Sequence, residues 1–231
     1  MLAWEGCVNV RDLGGLATED GGETRFGSIV RADSIPGLTA KGWSALAAYG
    51  VTLVIDLRGE SEHEDDPPRS TDIEVVRIPM PPREAQPAWE WPSMREAYLA
   101  LLERFRPRFA KVVETIAATE GPVVVHCSGG RDRTGLAVAL MLRLAGVPAD
   151  TIAADHALSD ESWGPHNESW YAAAVDDDER ERRRRISKPA GRTMAEILEE
   201  VDRLYGGPAT YLLGGGASEQ ALAVVGARLR D

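Results

Sequence analysis

Residues 122–144, PVVVHCSGGRDRTGLAVALMLRL, decide the fold. The β-branched run Pro122 to His126 follows Gly121 and ends near a glycine pair, the pattern of a strand buried on both faces. From Thr134 to Ala145 the chain is apolar on nearly all sides, as in a centrally packed helix, and Gly146 with Pro148 stops it. Outward from this unit the same alternation recurs. Val51 to Leu57, VTLVIDL, predicts a second buried strand, preceded by a helix over Thr39 to Tyr49 with Thr39 as N-cap. Ile73 to Ile78 predicts a third strand, ended by Pro79. Apolar residues at helical spacing run from Met94 to Ile116, with Pro107 kinking or dividing them. Further helices are predicted over Thr193 to Tyr205 and Ser218 to Leu229. The order predicts an α/β fold, a mostly parallel central sheet flanked by helices, with the glycine-rich loop between strand and helix.

That loop, HCSGGRDRTG from His126 to Gly135, has chemical content. A strand-to-helix turn through Ser128, Gly129 and Gly130 curls backbone N–H groups toward one point, and the helix adds its positive N-terminal end. Such a nest holds a tetrahedral dianion. Arg133 can return over the loop and offer two parallel hydrogen bonds to oxyanion oxygens, and Arg131 adds charge. Cys127 lies at the base of the cradle. A free thiol with a pKa of about 8.5 is only about 3% ionised at pH 7, whereas thiols at helix N-termini beside cations fall to roughly 3.5–7.5. His126 is placed to orient the sulfur and Thr134 to offer it a hydroxyl as it leaves.

Cysteine, five residues and arginine in this setting resemble the signature loop of the cysteine-based protein tyrosine phosphatase superfamily. More narrowly, the DRTG ending and the upstream NVRDLGG from Asn9 are similar to the bacterial tyrosine phosphatases of atypical dual or triple specificity. FGSIVRAD from Phe26, GLTAKGWSALAAYGVTLVIDLRGESE from Gly37, ADHALS from Ala154 and YLLGGGASEQAL from Tyr211 extend the resemblance over most of the chain. It implies a single phosphatase domain over 1–231 that hydrolyses phosphate monoesters through a cysteinyl-phosphate, without metal or other cofactor. Cys127 is then the nucleophile, and residues 128–133 bind the phosphoryl group. The implied substrate is a phosphoprotein, phosphotyrosine first, or a phosphoinositide, with inorganic phosphate as product. Where many superfamily members carry a Trp-Pro-Asp acid loop, this chain has Trp91-Pro92-Ser93. The resemblance instead places an aspartate inside the loop, so Asp132 becomes the general acid, with Asp56 in reserve. Asp132 has a plainer alternative, a structural carboxylate that bonds loop amides or Arg131. Arg58 and Arg11 are candidates for added positive potential at the mouth.

Other readings compete. Rhodanese-like or arsenate-reducing chemistry also uses a looped thiolate, although Cys7 is the one other cysteine. A catalytically weak phosphate-binding module is the alternative from outside enzymology. Cys7, His63, His156 and His166 show no metal-ligand spacing. Pro79 to Pro92 reads as an extended loop whose Trp89 and Trp91 either wall a pocket or pack on the body. Ser159 to Pro189 breaks the regular pattern, and about 159–192 is a candidate lid or insertion. Its charge run, Asp176 to Arg185, reads as a solvated helix or as a surface for anionic lipid or phosphoprotein.

Composition bounds the partners. The 231 residues carry 26 Lys plus Arg against 37 Asp plus Glu, a net charge of −11, which argues against nucleic acid. Two cysteines make no disulfide framework. The first residues hold no apolar core of secretory length, and no apolar run is long enough for a transmembrane segment. These features predict a cytoplasmic protein.

Overall fold

The parallel strands place four chain ends along one edge, where the loop after His126 departs. In this computed structural model, which describes residues 1–64, 66–67, 73–81, 93–187 and 191–230, the strands are β1 (Arg11–Asp12), β2 (Ile29–Ala32), β3 (Leu53–Asp56), β4 (Glu74–Arg77) and β5 (Val123–His126). The sheet order is β1-β2-β5-β3-β4. Only β1 is antiparallel; β2, β5, β3 and β4 run the same way. The sheet is therefore mostly parallel, as predicted. Ala32 and Asp56 both pair with His126, so three carboxyl ends meet beside Cys127. Ligands of open parallel sheets bind at such carboxyl ends.

The helices are α1 (Ala40–Ala48), α2 (Met94–Ala117), α3 (Asp132–Leu144), α4 (Ala149–Ala172), α5 (Asp177–Ile186), α6 (Gly191–Tyr205), α7 (Pro208–Gly214) and α8 (Glu219–Arg228). Alternation along β5 divides the core. Val123 and Val125 join the large cluster with α2, α3, α6, α7 and α8, while Val124 faces the smaller cluster with Trp43 and Leu46 of α1. Thr39 caps α1, its side chain accepting from the Gly42 amide at 3.2 Å. Residues 94–117 form one helix with non-helical backbone at Phe105 (φ −109°, ψ 19°), where Pro107 removes a turn's hydrogen bond.

Two expectations change. Ser159 to Pro189 is not irregular where described: α4 continues to Ala172 through Pro165, and Asp176 caps α5 by accepting from the Glu179 amide at 2.7 Å. Of the proline-rich loop, 82–92, including Trp89 and the Trp91-Pro92 pair, lies outside the described residues. Among the described residues no helix is long and apolar enough to cross a membrane.

Candidate active site

Cys127 emerges from β5 with 2% of its surface exposed, and α3 begins five residues later. The loop between them is tied from outside through its carbonyls. That of Ser128 accepts from the Ser34 amide at 3.1 Å, and that of Gly129 accepts from Asn9 Nδ2 at 2.9 Å and Trp163 Nε1 at 2.8 Å. Gly130 O accepts from Arg31 Nη2 at 2.8 Å. In a planar trans peptide the carbonyl and the following N–H point oppositely. Outward carbonyls at 128, 129 and 130 therefore turn the amides of Gly129, Gly130 and Arg131 into the loop, as an anion nest requires. Gly130 has φ 62°, and a Cβ there would sit 2.4 Å from Ala32 O, so only glycine fits.

Arg31 reaches the loop from a buried ionic group. Asp155 on α4 receives Arg11 Nε and Arg31 Nη1, each at 2.7 Å, and Ser159 Oγ lies 3.1 Å and 3.2 Å from the same two guanidinium groups. Burial, then the charge of Arg11, lowers the Arg31 pKa to about 10. Two cations and one carboxylate thus leave net positive charge beneath the loop. Arg11 belongs to this support and is not at the mouth.

Arg133 turns back over the loop. Its Nη1 and Nη2 donate to Glu62 Oε2 at 2.6 Å and Oε1 at 2.9 Å, a two-point fork, and Nη1 also reaches Met80 O at 3.1 Å. Ser128 Oγ donates to the same Glu62 carboxylate. Burial pushes the Glu62 pKa up, but the Arg133 hydrogen bonds and charge outweigh it and hold it below the usual range. A carboxylate thus occupies the fork and the loop hydroxyl together.

Asp132 opens α3. Tyr98 Oη donates to its Oδ1 at 2.5 Å and lies 3.2 Å from His156 Nε2. Arg131, 8% exposed, pairs through Nε with Asp160 Oδ1 at 2.8 Å on α4. The Thr134 hydroxyl is buried without a hydrogen-bond partner among the described residues.

His126 sits under the cysteine, its Nδ1 3.1 Å from Cys127 O. Burial, against the pull of Asp56 and with the repulsion of Arg58, lowers its pKa to about 4. The ring is neutral at pH 7, so Nδ1–H anchors the loop's first carbonyl. Asp56 does not line the cavity shared by Ser128, Asp132 and Arg133. Its carboxylate receives Arg58 Nε and Nη2, and Asp66 receives the same guanidinium at 2.7 Å. Asp56 and Arg58 instead line a separate cavity of about 330 Å³ under the other face, which removes Arg58 from the mouth.

A cavity of about 670 Å³ is lined by Glu62, Ser128, Arg131, Asp132 and Arg133. Leu101 and the α4 indoles of Trp163 and Trp170 form part of its walls. Helix α5 lies beyond Trp170, whose ring is 5.1 Å from the Arg183 guanidinium. Cys7 and Cys127 are both free thiols. Glu62, Tyr98, Arg31, Asp155 and Asp160 carry no individual mark in the sequence, since each meets the loop or its support through a partner distant along the chain.

The mostly parallel α/β sheet thus carries at its carboxyl edge a loop that holds Cys127 and is crossed by the forked guanidinium of Arg133. The model of the tyrosine phosphatase family matches residues 2–231, and the chain belongs to that family. It is 32% identical over 220 residues to a tyrosine-protein phosphatase of Nostoc commune, covering 87% of this chain and 74% of that protein. It is 29% identical over 192 residues to the triple specificity protein phosphatase PtpB of Mycobacterium tuberculosis, covering 68% of each. The chain is a phosphatase enzyme of that family.

Proposed function

We propose that the chain hydrolyses phosphate monoesters without metal in two steps through a cysteinyl-phosphate on Cys127. In the first, the sulfur attacks phosphorus, an S–P bond forms and the ester P–O bond breaks, while the Asp132 carboxyl proton passes to the leaving oxygen. In the second, water attacks phosphorus, gives a proton to Asp132 and displaces the sulfur as inorganic phosphate leaves. The inward amides of Gly129, Gly130 and Arg131 hold the phosphoryl oxygens, and Arg133 takes two of them in its fork. Thr134 offers its hydroxyl to the departing sulfur.

One observation carries this reading: Arg133 and Ser128 already hold a two-oxygen anion, the Glu62 carboxylate, at the mouth of the cysteine loop. Substrate phosphoryl oxygens replace it. Asp132 rather than Asp56 is the acid, because Asp132 lines the cavity while Asp56 is bound to Arg58 in another. Phosphotyrosine on protein is the favoured substrate: Leu101, Trp163 and Trp170 offer an aryl ester apolar walls above the nest. The segment at about 159–192 is a lid or insertion of the same single domain: of its described part, the second half of α4 lines the cavity and α5 packs against α4.

The test is hydrolysis of an aryl phosphate with EDTA present, wild type against Cys127→Ser. Wild-type turnover, lost by more than about a thousandfold in the variant, is expected. Phosphate binding without turnover in either protein would instead make the chain a binding module.

A further inference from the structure

Tyr98 and His156 form a buried polar pair to which the two steps above give no role. Tyr98 lies on the first turns of α2 and is fully buried, and His156 on α4 is 1% exposed. Their rings meet edge to face with centroids 6.0 Å apart. A buried phenol has one proton to give and two neighbours able to take it, so the state of the imidazole decides where it goes.

That state follows from the surroundings. Burial, then the charge of Arg31, drives the His156 pKa down to about 3, so the ring is neutral. The charged groups around the pair are Asp132 on α3, Arg131 in the loop, Asp155 and Asp160 on α4, and Arg31 on β2. His156 Nδ1 has no hydrogen-bond partner among the described residues and lies 2.6 Å from where a Cβ on Gly135 would stand. A bare nitrogen in so tight a space is the acceptor form, which puts the ring proton on Nε2. Nε2–H then donates to Tyr98 Oη, and the phenol proton has one remaining destination, Asp132 Oδ1, at the short 2.5 Å of a hydrogen bond to a carboxylate.

We propose that Tyr98, held in a single donor orientation by His156, is a positioning residue that fixes the Asp132 carboxyl group for proton transfer to the leaving group. The inference rests on Asp132 being the general acid. Tyr98 keeps its own proton throughout; the one that moves is the Asp132 proton. Gly135 belongs to the device because any side chain there would displace the imidazole.

The test uses leaving groups of different acidity, since a good leaving group needs no proton. Tyr98→Phe should lose about tenfold in kcat/KM, which reports the first step alone, on phenyl phosphate and less than about twofold on 2,4-dinitrophenyl phosphate. Removing a donor that bonds the ionised carboxylate favours the protonated one, so the alkaline limb of kcat/KM should move to higher pH. In an Asp132→Asn background Tyr98→Phe should cost nothing further. His156→Gln, which keeps an N–H donor, should retain most activity, whereas His156→Leu should behave as Tyr98→Phe; thermal unfolding monitors folding of each. Equal losses on both esters, or additive losses with Asp132→Asn, overturn the positioning role. Should Asp132→Asn itself lose kcat/KM on both esters equally, the general acid is another residue and the inference falls with that assignment.

Discussion

Arg133 presents its fork to a carboxylate of its own chain, and that pair sets the behaviour of the resting site. Glu62 is bonded by Arg133 and Ser128 in a largely buried place, where breaking an ion pair costs more than at a surface. The folded pKa of Glu62 lies below its usual 4.5, so the pair's stabilisation is complete above that pH and is lost as pH falls through the folded value. Glu62→Gln should therefore lower stability by about 1–3 kcal/mol at pH 7, and the difference from wild type should shrink as pH falls below the usual glutamate value. Urea unfolding of both proteins across pH 3–8 measures it, and a difference that does not change with pH would show the carboxylate to be uncharged or unpaired. Nothing in GESE marks Glu62 for this place; only the fold that carries it to Arg133, 71 positions on, does so.

The strand–loop–helix unit was legible because its signals are local. Branched apolar residues make β5, glycines make the turn and an apolar run makes α3, all within 22 residues, 123 to 144. The two glycines of the loop differ, however, in a way only the structure shows. Gly130 has a left-handed backbone against Ala32, while a Cβ on Gly129 would meet nothing nearer than Trp163 Nε1 at 3.7 Å. Gly130→Ala should lower stability by about 1–3 kcal/mol and abolish turnover, and Gly129→Ala should fold normally. Melting temperature and aryl phosphate turnover separate them; equal effects would contradict the placement of the Gly130 backbone. Strand β2 was not legible, because Arg31 interrupts its apolar pattern. That arginine is tolerated in a buried strand through Asp155, 124 residues away. The long α4 was missed for a similar reason. Its second half, Asp160 to Ala172, is polar on several sides and contains Gly164 and Pro165, and what holds it is contact with the loop through Trp163 and Asp160.

At the scale of the whole molecule, a net charge of −11 and a phosphate site are reconciled by where the cations lie. Arg11, Arg31, Arg131 and Arg133 are all nearly buried around one loop, whereas Arg180, Arg182 and Arg183 of α5 pair with Asp177 and Glu179 of their own helix. Much of the arginine run is thereby neutralised, and positive potential is concentrated at the loop to which the proposed mechanism brings one phosphoryl group. The central claim is that this group is transferred to Cys127 before it reaches water. The direct measurement is mass spectrometry of the peptide containing Cys127 after acid quench during turnover of 2,4-dinitrophenyl phosphate. Asp132→Ala should be used beside wild type to slow the second step. A single phosphoryl group on Cys127, more abundant in Asp132→Ala and absent from Cys127→Ser, is the expected result. Steady turnover with no phosphoryl group on Cys127 in either enzyme, or with one on another residue, would contradict the mechanism.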